Sequence, residues 1–241
     1  MRCYKDAIEK YVKKDDIIID LGTGTGILSF FAMSKKPSRI YAIDHSMFIE
    51  KAQFIAKANS FDNISFLRKN SKNFSIPEKV DLIIHEQIGT FLFNEDLIKK
   101  TLDLKHRLLK DKGKILPGKF ELFIVPVKLK DDCVVPLIYE HDFFKFNELK
   151  KFKQKEYSQN YGFLSIHGKV DCFLTTPEKT LSFDLEEIND ENAFKKIRFS
   201  QTISNAGRLD GFSFYFKVIF DDTISFTNSP VAKETHWKSM M

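Results

Sequence analysis

Ile17-Ile18-Ile19-Asp20-Leu21-Gly22-Thr23-Gly24-Thr25-Gly26-Ile27-Leu28 is the stretch whose reading decides the fold. Three successive β-branched residues make a buried strand that ends at Asp20. The glycine-rich turn then opens a helix over residues 26–34. Outward from it, apolar strands alternate with helical stretches: a helix at 4–11, a strand at 39–43, a helix at 48–58 and a strand at 64–67. A strand at 80–84, a helix at 95–109 and a strand at 113–116 continue the series. Such alternation implies right-handed crossovers, hence an α/β fold with a doubly wound parallel sheet.

After Pro117-Gly118 the pattern changes to strands, at 121–127, 169–174, 181–185 and 212–220. Phe212, Phe214, Phe216, Val218 and Phe220 alternate with Ser213, Tyr215, Lys217 and Ile219, which predicts one buried face. A sheet core explains those phenylalanines more simply than a ligand cleft. The division expected is an α/β domain over 1–116 and a β-rich, barrel-like domain over 117–241 that receives a substrate.

The chain has 241 residues and a net charge of +5 that comes from lysine. No apolar run is long enough to cross a bilayer. Met1-Arg2-Cys3-Tyr4-Lys5-Asp6 lacks the apolar stretch of a secretory signal. Cys3, Cys133 and Cys172 are too far apart for a metal knuckle or redox pair. The expectation is a cytoplasmic protein with no metal and no membrane attachment. Lysines between Lys145 and Lys155, interleaved with Phe144, Phe146, Phe152 and Tyr157, read as the wet face of an amphipathic helix rather than a nucleic-acid patch.

The glycine turn also limits the ligand. A dinucleotide fingerprint needs glycine where Ile27 stands, and a phosphate-binding P-loop needs a Gly-Lys-Ser/Thr ending that is absent. The D-x-G-x-G-x-G form suits S-adenosylmethionine, which carries a sulfonium, an ammonium and a carboxylate but no phosphate. Asp20 brings negative charge near the ammonium, and Gly22, Gly24 and Gly26 let the ligand approach the backbone. Asp44, at the tip of the next strand and 18 residues after Gly26, is placed to accept from both ribose hydroxyls. Ser71, in Asn70-Ser71-Lys72-Asn73, sits where an adenine contact belongs. Taken singly, the glycines would also serve a tight turn and Asp44 a helix cap.

His85-Glu86-Gln87-Ile88-Gly89-Thr90-Phe91-Leu92-Phe93-Asn94-Glu95-Asp96 follows the strand at 80–84, at the carboxyl edge of the sheet where open α/β folds bind ligands. The Asn/Asp-Pro-Pro-aromatic run usual in enzymes that methylate base amino groups is absent. Two glutamates stand nine residues apart, joined through Gly89, which permits a hairpin. Facing one pocket they would repel unless a cation lay between them, and a planar guanidinium fits. Glu95 could equally cap the helix it begins.

Here the chain resembles the protein arginine methyltransferase family, shortened at both ends relative to it. Glu86 and Glu95 match its double-glutamate loop, and Thr235-His236-Trp237-Lys238 its Thr-His-Trp loop, approached by Phe226-Thr227-Asn228-Ser229-Pro230. Asp20, Gly22, Gly24, Gly26 and Asp44 match its cofactor positions, and Tyr161-Gly162-Phe163 the start of its β-rich half. The resemblance implies methyl transfer from S-adenosylmethionine to an arginine of a protein or peptide, leaving S-adenosylhomocysteine. Glu86, Glu95 and His236 would be catalytic, and Trp237 would wall the arginine channel, although this ring could equally pack in a core. Arg2 is out of register for the family's cofactor arginine, and His85 and Gln87 replace a small and a bulky residue. A homodimer is implied, with a shortened arm between Tyr161 and Phe212. A small-metabolite or other protein acceptor, or a cofactor-binding scaffold without catalysis, are the other readings; no specific nucleic-acid partner is expected.

Overall fold

Ile18 and Ile19 have no exposed surface, as befits a strand covered on both faces. In the computed structural model, which describes residues 1–89, 91–93, 95–133, 165–190, 192–194, 196–237 and 239–241, they lie in β1, Ile17–Leu21. The segment at 145–155 and Tyr161-Gly162-Phe163 fall outside the described residues. Around β1 run α1 (Arg2–Tyr11), α2 (Ile27–Met33), β2 (Arg39–Asp44), α3 (Phe48–Ala58), β3 (Ile64–Arg68), β4 (Val80–His85), α4 (Leu97–Leu108) and β5 (Leu109–Leu116). The sheet order is β3-β2-β1-β4-β5, with neighbouring strands parallel. The chain leaves β1 for β2 on one side and reaches β4 on the other, so the order reverses beside β1. That crevice, at the carboxyl ends of β1 and β4, is where such folds bind ligands.

The remaining strands are β6 (Lys119–Leu129), β7 (Val170–Phe173), β8 (Leu181–Asp184), β9 (Gly211–Ile219) and β10 (Ser225–Thr227). They form a second sheet, curled as a half-barrel, in the order β10-β9-β6-β7 with β8 on β6. β6 and β7 pair antiparallel, Lys128 opposite Cys172. The chain packs as two compact units, one of residues 1–121, 181–197 and 217–226 and the other of 122–180, 198–216 and 227–241.

In the first unit, Tyr4, Ala7 and Ile8 form the buried stripe of α1. The Tyr4 ring meets Phe220 edge-on at 5.0 Å, and the end of the helix is tied down by Asp221. One oxygen of that carboxylate accepts from Lys10 Nζ at 2.7 Å and Tyr11 Oη at 2.8 Å. The other accepts from the Thr223 and Ile224 amides. In the second unit, Val127, Leu129, Ile166 and Val170 make a small core with Phe173 against it.

Three expectations change. α4 begins at Leu97 rather than Glu95, because Asp96 takes a left-handed conformation, φ 54°, that no helix continues. Glu95 therefore precedes the helix and does not cap it. The alternation along β9 breaks in the middle: Ser213 and Tyr215 are buried on one side, then Phe216 and Val218 on the other, while Phe212 is exposed. Tyr215 stacks on Phe123 at 4.8 Å, whereas Phe216 meets Trp237, so both faces are covered. β10 adds a strand that the sequence does not signal, since three residues carry too little periodicity.

Asp221→Ala removes one acceptor shared by a helix end and a turn, and should destabilise the fold by about 2 kcal/mol, read as a lower midpoint in urea. These hydrogen bonds hold the carboxyl well below its ordinary range. Their contribution is thus present above the unfolded value of about 4 and fades as pH falls below it. A variant as stable as the parent at pH 7 would contradict this account.

Candidate active site

Asp20, next to the last residue of β1, has no exposed surface. Its Oδ2 accepts from Thr23 Oγ1 at 2.7 Å, Ser29 Oγ at 2.6 Å and the Ser29 amide at 3.1 Å. The carboxylate thereby joins the glycine turn to the first turn of α2. Burial raises its pKa to about 6, opposed by those bonds. Oδ1 is buried and without a partner among the described residues, an acceptor left over beside the turn.

The turn itself is fastened to β2. The Gly22 and Thr23 amides donate to the Ile43 carbonyl at 2.9 and 3.1 Å, and the Gly24 amide to Asp44 Oδ2 at 2.8 Å. Gly22 and Gly24 have φ of +73° and +54°, conformations that L side chains rarely take. They differ in surroundings. A Cβ on Gly22 would stand 2.1 Å from Gln87 Nε2, while one on Gly24 would meet nothing within 4 Å. Gly26 starts α2 from a left-handed conformation.

Asp44 caps its own loop, Oδ1 accepting from the Ser46 amide at 2.8 Å. Burial pushes its carboxyl up, but the bonds from Ser46 and Gly24 prevail and its pKa lies below the ordinary value. Each oxygen keeps a lone pair for a hydroxyl donor. Ser71 is buried at the start of a 3-10 turn, Ser71–Asn73, and its carbonyl accepts from Arg107 Nη2 at 3.0 Å. Arg107 also donates to the Phe74 carbonyl, so α4 fixes this turn.

The glutamate loop leaves β4 at His85. Gly89 and Leu92 bridge across a tight turn, the Leu92 amide donating to the Gly89 carbonyl at 2.9 Å. The buried Leu92 takes a left-handed conformation, φ 63°. Glu86 is half-buried and Glu95 exposed. Burial raises the Glu86 pKa to about 7, with the charge of Glu95 adding to it.

The positive charge of the amino terminus opposes that rise, and His85, Tyr4 and Gln87 are neutral or engaged. His85 is fully buried, its Nε2 is 3.0 Å from the Pro117 carbonyl, and burial lowers its pKa to about 4, so it stays neutral. Tyr4, raised by burial and by Glu86, stays protonated. Gln87 lies over Gly22 and accepts from Lys100 Nζ at 3.0 Å.

His236 and Trp237 belong to the other unit. Their rings lie 3.6 Å apart, and the buried Trp237 meets Phe216 edge-on at 6.4 Å. Sequence reasoning missed Thr23, Ser29 and Arg107, which hold the site's backbone; hydroxyls at loop and helix starts carry no distinctive pattern. Among the described residues no group of His, Cys, Asp and Glu could hold a metal. No described helix is long and apolar enough to cross a membrane.

Comparison with known proteins agrees with this geometry. Residues 12–161 match a methyltransferase domain, and residues 122–241 an arginine methyltransferase oligomerization subdomain. Protein arginine N-methyltransferase 6 of Xenopus laevis is 30% identical over 93% of this chain and 68% of its own length. Protein arginine N-methyltransferase 1 of Chlamydomonas reinhardtii is 29% identical over 98% of this chain and 70% of its own. In fold, the chain is similar to the Trypanosoma brucei PRMT1 enzyme-prozyme heterotetrameric complex with AdoHcy, with a TM-score of 0.79 at 22% identity. That match covers 99% of this chain and 76% of the other.

The open space over Gly24 and the spare acceptor of Asp20 fit a ligand lying against this backbone. Gly24→Ala fills that space without a clash, at a conformational cost of about 1 kcal/mol. Calorimetry should show S-adenosylhomocysteine binding weakened about tenfold or more, a loss of ~1.4 kcal/mol, with the melting temperature lowered by only about 2–4 °C. Unchanged affinity would remove the ligand from this turn.

Proposed function

The chain belongs to the protein arginine methyltransferase family, and from that premise we propose that it methylates a guanidinium nitrogen of a protein or peptide arginine held between Glu86 and Glu95. It is an S-adenosylmethionine-dependent methyltransferase of that family. S-adenosylmethionine supplies a methyl carbon made electrophilic by its sulfonium.

The observation that carries the proposal is the electrostatics of Glu86. A half-buried carboxyl raised to about 7 by burial and by a second acid is relieved by a cation, and a guanidinium takes bidentate contacts from carboxylates. Holding two of its nitrogens draws positive charge toward them and leaves the third richer in electrons for attack. Alignment is the rest of the protein's task. Asp44 receives the ribose hydroxyls, Gly24 gives close approach while Gly22 and Gly26 supply the left-handed backbone of the turn, and Asp20 offers Oδ1 to the ammonium while its other oxygen fixes the turn. Ser71 lines the adenine end. In this reading residues 1–116 carry the cofactor and the glutamates, and residues 117–241 the acceptor-recognition half.

Glu86→Gln should leave S-adenosylhomocysteine binding within about threefold, a difference under ~1 kcal/mol. It should abolish label transfer from S-adenosylmethionine to an arginine-rich peptide. In the parent, kcat/KM for that peptide should rise about tenfold per pH unit below 7 and level off above it, because the free enzyme must lose the Glu86 proton to take the cation. A flat profile with an active Gln variant would refute the clamp, and label on a small metabolite alone would redirect the acceptor.

The matched oligomerization subdomain supports self-association. Light scattering should give about twice the 28.1 kDa chain mass, and a monomer at micromolar concentration would count against a homodimer.

A further inference from the structure

The amino-terminal edge of the parallel sheet, opposite the cofactor turn, carries a cleft that the reaction does not use. It arises where β5 leaves the ladder. Val80 pairs with Leu109, but Leu82 already pairs with Lys114, so residues 110–113 swing outward. The hollow beside them has a volume of about 510 Å³. Among the described residues it is lined by Lys79, Lys105, Lys110, Lys112 and Lys114 against only Asp111 and Glu186 as acids. A second hollow of about 390 Å³ continues it, sharing Lys112 and Lys114 and adding Lys13 and Lys10, the latter paired with Asp221.

Most of these ammonium groups lack an acid of their own among the described residues. Lys79 donates to the Arg107 carbonyl at 3.0 Å, and Lys105 to the Ile188 carbonyl at 2.8 Å and Asn189 Oδ1 at 3.2 Å. Lys114 lies 5.0 Å from the Tyr11 ring. Lys110 is paired with Asp81 at 2.6 Å. Of the acids, Glu186 already accepts from the Ile115 amide at 2.8 Å. Burial lowers the Lys105 pKa, a cost that a bound anion would offset.

We propose that this two-part cleft is a docking site for an acidic peptide segment of a partner protein. Two adjoining hollows that share Lys112 and Lys114 suit an extended chain rather than a single phosphate. The lining favours carboxylates over a nucleic-acid backbone: Asp16, Asp81, Asp111 and Glu186 interrupt the lysines and would repel evenly spaced phosphates. A peptide can set its own amides against those acids. Among the described residues the lining holds no arginine for bidentate phosphate contacts, and Tyr11, already covered by Lys114, is its one tyrosine. The site is separate from the acceptor pocket, so the partner would be held without entering it.

The test uses the full chain and a fluorescein-labelled ten-residue Glu/Ser peptide, followed by fluorescence anisotropy. Saturable binding should weaken steeply as salt rises from about 0.05 to 0.3 M, as the screening length shortens. Lys112→Glu with Lys114→Glu should reduce affinity at least tenfold, and Lys112→Gln with Lys114→Gln about threefold. Lys36→Glu with Lys57→Glu, which changes charge equally elsewhere, should not. Circular dichroism and undiminished S-adenosylhomocysteine binding would show the variants folded. No binding, affinity unchanged in the Lys112/Lys114 variants, or tighter binding of a ten-nucleotide single-stranded RNA would each overturn the proposal.

Discussion

A carboxylate with no exposed surface is costly to place at the end of a strand, and the geometry around Asp20 explains why the fold keeps one there. Its Oδ2 gathers the Thr23 hydroxyl, the Ser29 hydroxyl and the Ser29 amide, so one atom sets both the path of the glycine turn and the start of α2. The bonds do not fully offset burial, since the pKa rises from 3.8 to about 6. That shift corresponds to about 3 kcal/mol against ionisation. With the folded value above the unfolded one, the cost is absent below about pH 4 and complete above about 6. A cation near the free Oδ1 would recover part of it. The carboxylate that shapes the turn thus also leaves a negative charge beside it.

The glutamate loop repeats this logic with a different partner. His85 remains neutral, Tyr4 remains protonated, and Gln87 is engaged by Lys100. What acts on Glu86 is burial, the charge of Glu95 and, in the opposite direction, the amino terminus. A pair of like charges favours a ligand that brings a cation to it. Left-handed Leu92 and Asp96 on either side of the loop's second half are local costs consistent with a segment shaped for function.

Much of this was legible in the sequence because the signals are local. Ile17-Ile18-Ile19, the glycines and Asp44 lie within a single βαβ unit, where period and turn chemistry suffice. The helix before β1 and the strands after Pro117 were legible for the same reason. Other features depend on contacts distant in sequence. Tyr215 and Phe216 are buried on opposite faces because Phe123 covers one and Trp237 the other, and no alternation rule can anticipate that. The start of α4 depended on one left-handed Asp96. Arg107, which fixes the Ser71 turn from 36 residues away, carried no local mark at all.

Net charge was the least informative number in the chain. A value of +5 says little about either edge of the parallel sheet, because charge is not spread evenly over it. Asp20, Asp44 and Glu86 stand at or just beyond the carboxyl ends of their strands, whereas Lys79, Lys110 and Lys112 gather where β4 and β5 begin. Screening confines each group to its own surroundings, since the Debye length is only about 8 Å at physiological salt. A cation at the carboxyl edge therefore meets the local acids rather than the average of the molecule. The same separation lets the lysine-rich edge act independently, so a charge reversal there can alter docking while leaving the transfer chemistry untouched.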